Sequence, residues 1–206
     1  MGMKMPAEIQ DSAQLLAVMC TEGSRAELLY FVRRDRQFVC EGRGDAFIGR
    51  CGLGKEREGD GKTPEGHFRA LSAFGILPDP GTSLPYRRLT PATIACDREG
   101  PYYNTIIETA PDGPQCEGER MMDMDPEYLY GIETDFNSEC IYPLGSAIFI
   151  HCKGRKEWTE GCVAVDRELM KHILQTADSG FVILIHGKDW TGWRDIEKVF
   201  GISLAI

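Results

Sequence analysis

Two short stretches that are apolar almost without interruption, Ser146 to Cys152 and Phe181 to His186, limit this chain most severely. A half-exposed strand alternates apolar and polar residues, whereas a run with no polar face must be covered on both sides. The first run has a histidine, His151, as its last residue but one. Eleven residues later comes Cys162, inside the glycine-containing segment Thr159-Glu160-Gly161-Cys162-Val163-Ala164-Val165. A buried strand with a histidine near its end therefore lies close in sequence to a tight turn carrying a thiol.

Three readings of those two side chains are open. A cysteine in an apolar stretch can be a small buried hydrophobe, and a histidine ending a buried strand can be a satisfied core residue. A zinc site could be assembled from His151, Cys152, Cys162 and His172. Their spacing lacks the paired C-x-x-C or H-x-x-x-H knuckles that structural zinc takes. In the third reading Cys162 is a nucleophile. Its unperturbed pKa of about 8.5 leaves it mostly protonated at neutral pH, so it needs a base, and His151 can serve.

The rest of the chain reads as β-rich. Leu15 to Cys20, Glu27 to Arg33, Phe38 to Cys40, Ala46 to Cys51, His67 to Phe74 and Thr105 to Glu108 are further strand expectations, separated by Gly, Asp and Arg turns. Residues 166 to 178 predict a helix. Leu169, Met170, Ile173, Leu174 and Ala177 share one face, and Asp166 stands at the N-cap. A second helix is expected from Trp190 to Phe200. Residues 77 to 126, rich in Pro, Gly and Asp, read as long loops over the site. At 206 residues the natural prior is a single domain, with residues 1–14 as a disordered start.

A formal net charge of −9 argues against nucleic acid as a partner, because phosphate binding requires basic patches. No segment approaches the roughly 18 apolar residues of a membrane span. Eight cysteines are many for a reducing compartment and permit disulfides, Cys40–Cys51 and Cys116–Cys140 being conceivable pairs. If Cys162 stays a thiol, seven remain, so at least one more is free; Cys152, beside the histidine, is the choice. A secretion signal or anchor is expected to have preceded this sequence. No metal, nucleotide or flavin motif is visible, and no cofactor is expected.

The segment from His151 to Val165 resembles the signature of the L,D-transpeptidase catalytic domain (YkuD-type) family, a histidine followed by Ser/Thr-x-Gly-Cys and a hydrophobic residue. Gly59-Asp60-Gly61-Lys62-Thr63-Pro64-Glu65-Gly66-His67-Phe68 resembles that family's Gly-Asp-Gly-x-Thr-Pro-x-Gly-x-Phe element. Gly100-Pro101-Tyr102-Tyr103-Asn104 resembles a Tyr-Tyr-Asn element of one bacterial branch. The commoner form has a second histidine where this chain has Glu160, and an arginine where it has Ala164. The gap between His151 and Thr159 is also short.

The resemblance implies a mainly β, sandwich-like catalytic fold with one or two helices near the C-terminus, acting outside the cytoplasm on peptidoglycan stem peptides. It implies Cys162 as nucleophile, His151 as base, the backbone carbonyl of Cys152 orienting the imidazole, and Gly161 and Cys162 N–H groups facing the oxyanion. Thr159, Glu160, Tyr103 and Asn104 are the expected substrate-binding residues, with Thr159 also able to hold the turn, Glu160 equally readable as a solvated loop residue and Tyr-Tyr-Asn as a packed turn. Two other functions stay open: a hydrolase on the same scaffold (L,D-carboxypeptidase or amidase), and a silent wall-binding module. The presence of both His151 and Cys162 weighs against the second.

Overall fold

The computed structural model describes residues 12–35, 37–178 and 181–204. Its main feature is a nine-stranded sheet. The strands are β1 (Gln14–Cys20), β2 (Arg25–Arg34), β3 (Gln37–Phe47), β4 (Gly66–Gly75), β5 (Tyr86–Arg88), β9 (Gly131–Thr134), β10 (Phe149–Cys152), β11 (Val163–Val165) and β12 (Val182–Gly187). Their order is β12-β1-β2-β3-β11-β10-β9-β4-β5, and β12 also pairs with β4. That extra pairing bends the sheet into a closed ring with β5 outside it, so the mainly β class holds.

The apolar patterning explains the layers. Every residue of β1 is buried. Leu16 and Val18 join a core with Leu28, Tyr30, Val32, Ile132, Ile150, Val163, Ile183 and Ile185. Leu15, Ala17 and Met19 face the opposite way, with Leu29, Phe31, Val182 and Leu184, and are covered by Trp193, Ile196 and Phe200. Those three belong to helix α2 (Gly192–Phe200), the second expected helix, starting two residues later than its sequence pattern. Helix α1 (Arg167–Thr176) brings Met170, Ile173 and Leu174 into the first core. It passes close over β3, where a Cβ on Gly42 would meet Leu169 Cδ1 at 2.6 Å. Asp166 sits at the helix start without a side-chain cap; its carboxylate pairs with Lys153 Nζ at 3.2 Å.

Several expectations are corrected. The strand expected over 46–51 ends at Phe47, and Phe38 to Cys40 belongs to the same long strand. Gly49 then turns so tightly against the backbone at Gly61 and Lys62 that a Cβ there would overlap it. The 77–126 region also carries a three-stranded sheet, ordered β7 (Ile106–Glu108), β6 (Thr93–Ala95), β8 (Glu119–Arg120). Strands of two or three residues leave almost no periodicity to read. Neither expected disulfide forms. Cys96 bonds to Cys116, while Cys40, Cys51 and Cys140 are free, as are Cys152 and Cys162. The reason is register: Ala95 pairs with Glu119, and Gly118 lets the backbone crowd Ala95 and Cys96, bringing the two thiols together. Residues 12–14 are ordered, with Gln14 opening β1 and accepting from the Asp178 N–H at 2.7 Å; the rest of the expected disordered start lies outside the described residues. No helix among the described residues is long and apolar enough to cross a membrane.

Under α2, His186 stacks on Trp190 at 3.7 Å, and His67 meets both rings edge-on. Burial lowers the pKa of both imidazoles from the usual 6.5, with Glu65 pulling His186 back up; burial lowers His151 as well. A histidine whose folded pKa is depressed binds its proton more readily in the unfolded chain, so its stabilisation is complete above about pH 6.5 and is lost as pH falls through the folded value. The thermal midpoint should therefore drop as pH is lowered from about 7.5 to 5. Circular dichroism melts check this, and a flat midpoint over that range contradicts it.

Candidate active site

Parallel pairing of β10 with β11 sets the geometry. His151 lies opposite Ala164, with Ile150 opposite Val163. Cys162, one residue before β11, falls level with Phe149, whose N–H donates to Sγ at 3.3 Å. The connection between the strands contains no helix, and Val163 to Val165 form a strand before α1 begins at Arg167.

His151 is buried, with Nδ1 2.7 Å from the Cys152 carbonyl oxygen. A carbonyl only accepts, so Nδ1 carries the hydrogen and Nε2 is the free base nitrogen. Tyr128 packs edge-on against the imidazole at 5.5 Å and donates its hydroxyl to Glu119. The Cys162 thiol donates to the Ala147 carbonyl at 3.1 Å. Burial pushes this thiol up to about 12, with Glu119 adding to the rise and the Phe149 N–H and Lys55 opposing it. Burial also keeps His151 below its ordinary value. The resting pair is a neutral thiol and a neutral imidazole.

The turn before the thiol is closed by Thr159, whose hydroxyl donates to the Cys162 carbonyl at 2.6 Å and accepts the Gly161 N–H at 3.1 Å. Thr159 thus closes the turn, and its hydroxyl engages the Gly161 N–H, which was expected to face an oxyanion. Gly161 itself has φ 153°, and a Cβ there would meet Ile148 Cδ1 and the Lys62 carbonyl, each at 2.9 Å. Fully buried Thr63 braces the same turn. It accepts the Gly49 N–H at 2.8 Å and donates to the Cys162 carbonyl at 3.4 Å. The Gly-Asp-Gly-Lys-Thr-Pro element is therefore a support for the nucleophile turn as well as a turn of its own.

Tyr103 and Asn104, expected among the substrate-binding residues, hydrogen-bond to the backbone beside the thiol. Tyr103 is buried; its hydroxyl donates to Glu58 at 2.6 Å and accepts the Gly145 N–H at 2.9 Å. Asn104 Oδ1 accepts the Ala147 N–H at 2.9 Å, and its amide donates to the carbonyls of Phe136 and Asn137. Ala147 has φ 52°, a left-handed conformation costing a non-glycine residue about 1–3 kcal/mol, so this bond holds the carbonyl that accepts from Cys162. Glu160 pairs with Arg50 at 3.1 Å on the surface, with more than half of its side chain exposed.

Cys162, His151, Thr159, Glu160 and Gly161 line one cavity of about 220 Å³. Four more carboxylates face it, Glu58, Asp97, Glu119 and Glu127, together with Lys55 and Lys156. Sequence reasoning passed over Tyr128, Glu119, Asp97 and Lys55. The Cys96–Cys116 bond ties together the segments carrying Asp97 and Glu119, a pairing spacing alone does not reveal.

The L,D-transpeptidase catalytic domain (YkuD) matches residues 26–185. The chain belongs to this family. No curated protein matches it. Among solved structures it is similar to Bdellovibrio bacteriovorus Bd1075, 18% identical with a TM-score of 0.45, covering 85% of this chain and 48% of that one. It is also similar to the helical cell shape determining protein Pgp2 of Campylobacter jejuni, 16% identical with a TM-score of 0.44, covering 89% and 54%. The chain thus spans about half the length of these structures.

In this YkuD domain, Tyr103→Phe removes the acceptor of the Gly145 N–H and the donor to Glu58. Stability should fall by about 1–3 kcal/mol in urea unfolding, as for a buried group left without its partner. A loss below a few tenths of a kcal/mol would show that this network does not hold the 145–147 backbone.

Proposed function

We propose that this protein is a cysteine acyltransferase acting outside the cytoplasm on peptidoglycan stem peptides. The observation that carries the reading is the shared cavity of Cys162 and His151, with His151 Nδ1 tied to the Cys152 carbonyl. The carboxylates around the cavity suit a substrate with a free amine, as a diamino acid in the stem has.

The thiol first leaves the Ala147 carbonyl for His151 Nε2, which takes its proton as Sγ attacks the carbonyl carbon of the third stem residue. The electron pair of the C=O bond moves to oxygen, where the Cys162 N–H stabilises it; one such donor contributes typically about 3 kcal/mol. Collapse breaks the C–N bond to the terminal D-alanine, and His151 returns the proton to the leaving amine. A thioester on Cys162 remains. An amine from a neighbouring stem then attacks it, giving a 3-3 cross-link and restoring the thiol. Water in place of the amine gives L,D-carboxypeptidase activity.

The test is incubation with a stem tetrapeptide and analysis of the products. D-alanine should be released by the protein and not by Cys162→Ala, with a cross-linked dimer as the second product. Tripeptide alone would make it a carboxypeptidase. Release that survives Cys162→Ala would refute the nucleophile assignment. Because burial holds His151 below 6.5, the acid limb of kcat/KM should lie below that of an ordinary histidine. A limb centred at or above about 6.5 would contradict a neutral buried base.

A further inference from the structure

Acyl transfer by Cys162 and His151 leaves a buried cation behind the nucleophile turn without a role. The side chain of Lys55 is 2% exposed, and Nζ lies 2.9 Å from Asp60 Oδ1 and 3.4 Å from the Lys62 carbonyl. Asp60 also accepts the N–H groups of Glu56 at 2.8 Å, Lys62 at 3.0 Å and Arg57 at 3.1 Å. Those amide bonds and the lysine hold its carboxyl well below the usual carboxylate range despite the opposing effect of burial. Three backbone donors already satisfy this carboxylate, so closing the loop does not require a lysine.

The path of the lysine stem is built around glycines. A Cβ on Gly145 would lie 2.5 Å from Lys55 Cε, and one on Gly161 would lie 3.4 Å from Nζ. Both glycines have positive φ, 116° and 153°. Two separate loops, one preceding Ala147 and one preceding Cys162, thus omit side chains where the lysine passes. Its amino group lies where a side chain on Gly161 would point, and Lys55, Gly161 and Cys162 line the same cavity. Burying a lysine costs free energy unless its charge is paired, and Asp60 is the partner here. Lys156 also lines the cavity but stacks over Trp158 at 4.3 Å.

We propose that Lys55 is a charge-stabilising residue, whose ammonium, held by Asp60 against Gly161, offsets the negative charge that builds on Cys162 Sγ as the thiol gives up its proton. Lys55 itself neither gains nor loses a proton: the proton passes from Sγ to His151 Nε2, and the sulfur electron pair forms the bond to the acyl carbon. The proposal rests on Cys162 as the nucleophile, but its test reads the thiol directly, with no stem peptide present.

The rate of alkylation by iodoacetamide is measured between about pH 7 and 10, where a pKa shift of one unit changes the thiolate fraction tenfold. It is followed at Cys162 itself by peptide mass mapping, since Cys40, Cys51 and Cys140 are also free. Lys55→Met should slow alkylation at Cys162 about tenfold at a fixed pH, and Lys55→Arg should restore most of the rate. In D-alanine release, Lys55→Met should lower kcat and leave KM nearly unchanged. An unchanged alkylation rate in Lys55→Met overturns the proposal, and so does a raised KM with normal alkylation, which would make Lys55 a substrate contact. Should Lys55→Met fail to fold, Lys55→Met/Asp60→Asn removes both charges and keeps an oxygen for the amides, and the same two readings decide. D-alanine release by Cys162→Ala would fail the acyl-transfer reading instead, separately from these rates.

Discussion

The parallel pairing of β10 with β11 is the constraint on which the site depends. It brings the strand that carries His151 beside the strand that Cys162 immediately precedes, so that two residues eleven apart in sequence face one cavity. Parallel neighbours need a crossover, and here it is a loop without a helix, closed at its end by Thr159 and Gly161. Shifting that register by one residue would turn each side chain to the other face and separate the thiol from the imidazole. Ring closure through β4, which pairs with both β9 and β12, keeps the register fixed from outside.

Burial then decides the electrostatics. It raises the Cys162 thiol and lowers the His151 imidazole, so neither group is charged at rest. A neutral pair suits general-base attack, with the proton moving as the sulfur bonds to carbon, better than a preformed thiolate. The surroundings are highly charged by contrast. Carboxylates line the cavity, two of them on segments joined by Cys96–Cys116, and the Lys55–Asp60 pair lies just behind the turn. A disulfide closing a loop of this size contributes about 3 kcal/mol in the chain-entropy view, enough to hold that wall.

Much of this was legible in the sequence, and the limits have physical causes. The apolar run at 181–186 announced a strand covered on both faces, the run at 146–152 did so for Phe149 to Cys152 only, and the face shared by Leu169, Met170, Ile173 and Leu174 announced α1. The Thr-x-Gly-Cys turn could be placed because it resembles the family's signature, whereas the residue types alone left a buried thiol and a core histidine open. Short strands such as β6, β8 and β11 carry too few residues for periodicity. Tyr103 and Asn104 were placed at the site through the Tyr-Tyr-Asn resemblance, with a packed turn as the other reading. Their hydrogen bonds to the Gly145 and Ala147 backbone, which no spacing announces, tie them to the turn beside the thiol. Lys55 stayed hidden because a lysine in a glycine-rich loop normally reaches water; only the three-dimensional course of Gly145 and Gly161 shows it turned inward.

The account stands or falls on a covalent bond at one sulfur. A stem tetrapeptide mixed with the protein, quenched in acid within the first turnovers and analysed by intact and peptide mass, reads that bond. The prediction is an adduct on Cys162 with the mass of the donor acyl group after loss of D-alanine, absent from His151→Ala. Turnover with Cys162 unmodified at every quench time, or an adduct on another residue, would contradict it.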